Sequence, residues 1–187
     1  MAGSVEVVVG PMFSGKTEEL LRRVRRLKYA KQTYMLFKHS LDKRYNSDMV
    51  TSHCHDSEKC VPICDSSDLL TCVKKNSSTV DVIAIDEAQF FDDKIVDVVW
   101  ELSNAGKRVI IAGLDMDYLG KPFGSIGALL SIADHVSKVK AVCSVCGQDA
   151  TFSKRIIKND DTVVIGGADI YTAVCREHFL NYNKNIN

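Results

Sequence analysis

The sequence predicts an α/β protein in which a parallel sheet is covered by helices on both faces and followed by a small cysteine-punctuated module. Three observations carry that expectation. Short apolar runs at residues 5–9, 80–86 and 108–114 alternate with segments of helical periodicity. The first run leads directly into GPMFSGKT, residues 10–17, which fits the phosphate-loop pattern G-x-x-x-x-G-K-[ST]. Two pairs of metal-ligating side chains, in CSVCG and CREH, arrive late, after the alternation has stopped.

In order along the chain, VEVVV supplies the buried strand that must precede such a loop, and EELLRRVRRLKYAKQ supplies the helix after it, with Leu20, Leu21, Val24, Leu27 and Ala30 on one face. Arg22, Arg23, Arg25, Arg26 and Lys28 alternate with that face and read as its solvated side. TYMLFKH is the second strand. The polar stretch from residue 40 to 59 is long for a loop, which predicts either mobility or a small hairpin over the site. VPICDS reads as a short strand and SSDLLTCVKK as a helix capped by Ser66 or Ser67. VDVIAID is a buried parallel strand ending in acid. DDKIVDVVWELSNAG is a helix with Asp92 or Asp93 at its start and Gly106 past its end. RVIIAGL and SIGALLSIAD complete the alternation, and ligands are expected at the strands' C-terminal ends. The pattern changes near residue 138, which divides the chain into a nucleotide-binding part, 1–137, and a zinc-binding part, 138–187.

With 187 residues, 45% hydrophobic and 26% charged, the chain is ordinary for a globular protein with one sizeable core. Lys plus Arg and Asp plus Glu each total 24, so no basic field points to nucleic acid, and a small phosphorylated ligand fits better. MAGSVEVVVG has no basic leader and no long apolar run, so neither a signal peptide nor a membrane span is expected. Seven cysteines in such a chain suggest a reducing compartment, and cytoplasm is the expected location.

The chemistry follows from residue types. Backbone N–H groups of Gly10, Pro11, Met12, Phe13, Ser14 and Gly15, proline excepted, are placed to curl around phosphate oxygens at a helix N-terminus, with Lys16 reaching the terminal phosphates and the Thr17 hydroxyl on Mg²⁺. In VIAIDEAQFF, Asp86 ends a strand as a second Mg²⁺ group, and Glu87 follows it as a proton acceptor for an attacking oxygen. That pair suits a kinase and also a motor ATPase with helicase-like motifs. The small chain, its balanced charge and the lack of a second motor domain favour the kinase. Cys143, Cys146, Cys175 and His178 make a closed structural zinc site. The rival set His53, Cys54, His55, Cys60 and Cys64 lacks two clean pairs, and reading Cys143 and Cys146 as a redox dithiol leaves CREH unexplained.

Taken together, GPMFSGKT, the DKRY segment, DEAQFF, GLDMDYLGKPFG, FSKR and VIGGADIYTAVCREH resemble the zinc-containing, RecA-like thymidine kinases of cells, bacteria and large DNA viruses, over essentially the whole chain. The resemblance implies transfer of the γ-phosphate of ATP to the 5′-hydroxyl of thymidine, a Mg²⁺ requirement, a homotetramer and feedback inhibition by thymidine triphosphate. It implies Glu87 as general base and Arg44 and Arg155 near the phosphates. It also implies a thymidine pocket of Met12, Phe90, Leu114, Tyr118, Phe123 and Tyr171, with main-chain bonds to the base from the 164–167 stretch, Val164, Ile165, Gly166 and Gly167. The chain between the zinc pairs resembles the family's lasso over the base. Its first half, QDATFSKRIIKNDD, offers few apolar residues and is expected to be loose without ligand, with Arg155 and Lys158 open to trypsin. Departures from the family pattern are Ala88, Tyr118 and His178, where other members often have Gly, Phe and a fourth Cys.

Overall fold

The computed structural model describes residues 3–42, 48–51, 57–157, 164 and 166–184. Arg44, Ile165, Lys158 and the rival-cluster residues His53, Cys54 and His55 lie outside the described residues. The elements in order are β1 (Ser4–Val9), α1 (Lys16–Tyr29), β2 (Tyr34–His39), β3 (Met49–Thr51), β4 (Ser57–Lys59), β5 (Val61–Ile63), α2 (Ser66–Lys75), β6 (Val82–Asp86), a 3₁₀ turn (Ala88–Phe90), α3 (Ile95–Asn104), β7 (Arg108–Gly113), α4 (Ile126–Ser131), β8 (His135–Lys138), β9 (Ala141–Val142), β10 (Asp149–Ala150), β11 (Phe152–Arg155), β12 (Tyr171–Val174) and α5 (Arg176–Lys184).

Six strands form one parallel sheet in the order β5-β2-β6-β7-β1-β8. Strand alternation sorts its side chains onto two faces. Val7, Val9, Ile83, Ile85, Val109 and Ile111 pack against Leu69 and Val73 of α2, Ile95 and Val99 of α3, and Ile126 and Leu129 of α4. Val8, Leu36, Val82, Ala84, Ile110 and Ala112 pack against Leu20, Leu21, Val24 and Leu27 of α1. Both faces are therefore dry, as the near-continuous apolar runs require. Parallel pairing brings every strand's C-terminal end to one edge, so Gly10, Lys38, Asp86, Leu114 and Lys138 converge there.

The small hairpin expected as one alternative after β2 is present as β3–β4, antiparallel and paired Met49 to Lys59 and Thr51 to Ser57. Other expectations are adjusted. Helix α2 is capped by Asp65, whose Oδ1 accepts the Asp68 N–H at 2.8 Å; Ser66 is already inside the helix. Helix α3 starts at Ile95, because the Asp92 carboxylate is engaged by the N–H groups of Ser66 and Lys94, tying two helix starts together. HVSK forms strand β8 although it carries no apolar run, and it is short and mostly exposed at the sheet edge. Among the basic residues of α1, Arg23 is buried. Its guanidinium donates to Glu6, Glu19 and Ser137 at 2.8–2.9 Å, which satisfies the charge that periodicity assigned to solvent.

The C-terminal module has its own core, in which Ala141, Ala150, Phe152, Ala173, Val174 and Phe179 pack together, with Phe152 and Phe179 stacked at 4.4 Å. β10 pairs with β9 and β11 with β12, both antiparallel. The expectation of a loose first half of the lasso therefore fails for its early part. Phe152, Ser153 and Arg155 are buried in a strand, so Arg155 is expected to be a poor trypsin site. Among the described residues no helix is long and apolar enough to cross a membrane.

Candidate active site and metal centre

The phosphate loop lies between the end of β1 and the start of α1. Gly10 is obligatory by proximity, because a Cβ there would sit 2.3 Å from the Val139 carbonyl oxygen. Gly15 is the residue before the helix at φ 80°, a left-handed conformation that a side chain disfavours. Pro11 offers a carbonyl that accepts from Ser14 Oγ and from Lys16 Nζ, each at 2.7 Å, so the ammonium lies over the loop. The Thr17 hydroxyl donates to Asp86, 3.1 Å from Oδ2 and 3.4 Å from Oδ1. Thus residues from opposite ends of the nucleotide-binding signature, distant in sequence, meet as the motif pair predicts.

Asp86 is 4% exposed and Glu87 8%. The chain turns sharply after β6, with Glu87 at φ 54° and its N–H donating to Asp86 Oδ1 at 3.0 Å. A non-glycine residue held in that region costs of order 1 kcal/mol or more and persists where the surroundings fix it. Here Gln89 is the fixing group. Its Nε2 donates to Glu87 Oε2, and its Oε1 accepts the Leu114 N–H at 3.0 Å, bridging the turns after β6 and β7. Gln89 was visible inside DEAQFF, but nothing in its spacing signalled a bridge.

The expected nucleoside-pocket residues fall into two groups. Around Gln89, Phe90 meets Phe123 edge-on at 6.0 Å, and Leu114 lies just beyond β7, half-buried and outside the core clusters. On the other side, the Arg155 guanidinium stacks on the Tyr118 ring at 3.7 Å and donates to the Tyr171 hydroxyl at 3.1 Å. Tyr171 in turn donates to the Val164 carbonyl at 2.7 Å. Gly166 and Gly167 precede the turn into β12, where the N–H groups of Ile170 and Tyr171 both reach the Gly167 carbonyl. Met12 is held from outside the loop, its N–H donating to the buried Ser153 Oγ at 2.9 Å, and Phe13 packs on the core of the C-terminal module. Ser153 is a contact that sequence reasoning missed; it lay within FSKR without a role.

The four expected zinc ligands are brought together. One donor atom each from Cys143, Cys146, Cys175 and His178 lies within 4.8 Å of the others, with Cys175 Sγ 3.1 Å from His178 Nδ1. The first pair sits on a tight turn closed by the Gly147 N–H to the Cys143 carbonyl at 2.9 Å, and the second pair straddles the start of α5. Burial pushes the Cys143 thiol up, but backbone N–H groups of Cys175, Val145 and Cys146 outweigh it and hold it at about 6, which favours the thiolate a metal needs. Three thiolates and an imidazole at this spacing fit tetrahedral zinc with no position left for a catalytic water. Of the rival cluster, Cys60 has its thiol pushed up to about 11, chiefly by burial.

A parallel α/β sheet with this loop, a lysine and hydroxyl at the helix start, and an acid pair on a nearby strand defines a P-loop nucleotide-binding enzyme. A family model described as thymidine kinase matches residues 3–179. A thymidine kinase of Bacteroides thetaiotaomicron is 50% identical over 178 residues, covering 95% of this chain and 87% of that protein. Thymidine kinases of two Bacteroides fragilis strains are each 51% identical over 175 residues, covering 94% of this chain and 86% of theirs. The chain belongs to the thymidine kinase family, and its activity is ATP-dependent phosphotransfer of that type.

Proposed function

We propose that the protein transfers the γ-phosphate of ATP to the 5′-hydroxyl of thymidine, giving thymidine monophosphate. The observation that carries this reading is the placement of Glu87, next in chain to the Asp86 that bonds Thr17 and clamped by Gln89. In the reaction, the loop N–H groups and Lys16 bind the triphosphate, and Glu87 orients the 5′-oxygen and accepts its proton as the P–O bond to it forms and the bond to ADP breaks. Thr17 and Asp86 would hold Mg²⁺, which when bound neutralises phosphate charge. Phe90, Phe123 and Leu114 face the base on one side. Tyr118, Tyr171 and Arg155 line the other, with backbone groups of the 164–167 stretch reading its polar edge. Arg44 is the remaining cation assigned to the phosphates. Covering the base from the 164–171 segment excludes water, which an ATP-cleaving site requires.

The same reading divides the chain at residue 138, where β8 ends, into the nucleotide-binding part and the zinc-binding part. It includes a homotetramer in the cytoplasm, inhibited by thymidine triphosphate, acting on nucleosides rather than nucleic acid. The test is ATP consumption by the purified protein with a panel of nucleosides, and with DNA and RNA as controls. Thymidine-dependent formation of the monophosphate supports it; hydrolysis stimulated by nucleic acid and indifferent to thymidine overturns it. Lys16→Ala is expected to raise KM for ATP and to lower kcat by about a hundredfold, the scale of losing a donor to phosphate charge in a preorganised site. Steady-state kinetics with ATP varied at saturating thymidine checks this, and unchanged kinetics would remove Lys16 from the site.

A further inference from the structure

Asp115 lies two residues beyond the end of β7, with its side chain 7% exposed. One carboxylate oxygen, Oδ2, meets the Lys138 ammonium at 2.7 Å, and the other, Oδ1, is buried with no hydrogen-bond partner. Among the described residues Lys138 is therefore the only ion-pair partner of this carboxylate. Lys138 ends β8, and its register partner Val9 is in turn the partner of Gly113, so the pair reaches across the end of β1 from the strand on one side to the strand on the other. The two ends of this tie hold different things. On the β8 side, the next residue, Val139, donates its N–H to the Val9 carbonyl at 2.8 Å and sets its own carbonyl against Gly10, as a wall of the phosphate loop. On the β7 side, the Asp115 carbonyl accepts the Phe123 N–H at 3.1 Å and closes the base of a loop, 115–123, that carries Tyr118. Within that loop Met116 bridges Pro122, and the Asp117 carboxylate accepts the N–H groups of Leu119 and Lys121 at 2.9 Å, so the loop is braced internally and can shift as a unit.

We propose that Asp115 and Lys138 are positioning residues for the nucleoside, their ion pair setting the 115–123 loop, and with it Tyr118 and Phe123, against the phosphate loop. This rests on the kinase reading above. Lys138 is 52% exposed, and an ion pair with one partner in water contributes little by its own attraction. The consequence comes from the buried partner. Without the ammonium, Asp115 keeps a charge with one oxygen already unbonded, and a buried charge stripped of its partner is costly enough to draw the carboxylate toward water. The base of the loop follows, and Tyr118 and Phe123 shift relative to Phe90 and Tyr171, which stand on other elements. The phosphate loop keeps its wall, because the bond from Val139 to Val9 is made by the backbone. Removing the lysine thus harms nucleoside placement and spares ATP, and neutralising Asp115 undoes part of the harm.

The experiment first establishes thymidine phosphorylation by the wild-type protein; failure there removes the kinase reading, and the tie is then judged from amide exchange. Lys138→Met is expected to raise KM for thymidine about tenfold and to lower kcat severalfold, since small misplacements of a reacting group cost rate steeply, while KM for ATP stays within about twofold. Lys138→Arg, which keeps the charge, should stay near wild type. Asp115→Asn added to Lys138→Met should recover about threefold or more of the lost thymidine KM, because no charge is left stranded. In the protein without substrate, the Asp117 and Phe123 amides, bonded to the Lys121 and Asp115 carbonyls, should exchange faster in Lys138→Met than in wild type. If Lys138→Met does not fold, Asp115→Ala cuts the same tie without stranding a charge, and the same split between the two KM values is expected at smaller size. Wild-type KM for thymidine in the variant that folds, an equal rise in KM for ATP, a double variant no better than Lys138→Met, or unchanged amide exchange would each overturn the proposal.

Discussion

Glu87→Gln is expected to leave nucleoside binding largely intact and to lower kcat by about a hundredfold or more, the range associated with a lost general base. The amide keeps the size and shape of the carboxylate, so the left-handed turn at φ 54° and the packing around it have no reason to change. What changes is that the group no longer accepts a proton, and one of its polar atoms now opposes the Gln89 amide that donates to Glu87 Oε2. A Gln89→Glu partner substitution does not restore turnover under this reading, because the acceptor would then sit two residues along the turn. Single-turnover kinetics separate the chemical step from product release, and thymidine titration by calorimetry checks binding. An unchanged chemical step in Glu87→Gln removes it from the role.

Loss of zinc is expected to be at least as severe, and not only for the C-terminal module. Cys146→Ser or His178→Ala should lower bound zinc well below about one per chain, the stoichiometry of a four-ligand structural site. Structural zinc sites contribute on the order of 10 kcal/mol of apparent folding free energy, more than a module of this size gains from its small core alone. Because β11 carries Ser153, which holds the Met12 N–H, and the module core receives Phe13, the phosphate loop loses two of its supports when the module loosens. KM for ATP should therefore rise along with the loss of metal. Metal analysis with ATP kinetics on the same samples checks this. Zinc-depleted protein with normal ATP affinity would show that the two regions are energetically separate, and loss of zinc in Cys60→Ser alone would move the metal to the rival cluster.

The parts of this molecule that were legible in the sequence are those set by local pattern. Strand and helix positions followed from apolar periodicity, the loop from its glycines and lysine, and the metal centre from two ligand pairs at regular spacing. What was illegible depends on pairing between distant segments. HVSK gives no apolar run, yet as β8 it closes the sheet beside β1. Arg23 looked like one of five solvated cations, and the approach of Glu6 and Ser137 from two strands, added to Glu19 on its own helix, makes its burial tolerable. Ser66 looked like a helix cap because serine suits that position, but Asp65 stood one residue earlier with a stronger acceptor. The lasso's early residues looked polar and loose because pairing of β11 with β12 is a long-range event that composition does not reveal.

The position of β1 in the sheet has a consequence for biosynthesis. The strand that carries the phosphate loop is translated before its neighbours β7 and β8, and the Val139 carbonyl and Ser153 hydroxyl that fit against the loop come later still. A nascent chain therefore leaves the ribosome with an apolar, unpaired strand and a glycine loop that has no wall to rest on. Contacts so separated in sequence close slowly, since the entropy of joining them is spent before any packing repays it. Until the second zinc pair at Cys175 and His178 has been translated, the segment holding Ser153 lacks its anchor. The phosphate loop is thus among the last features of the molecule to be completed, although residues 10–17 that encode it are translated before the segments that support it.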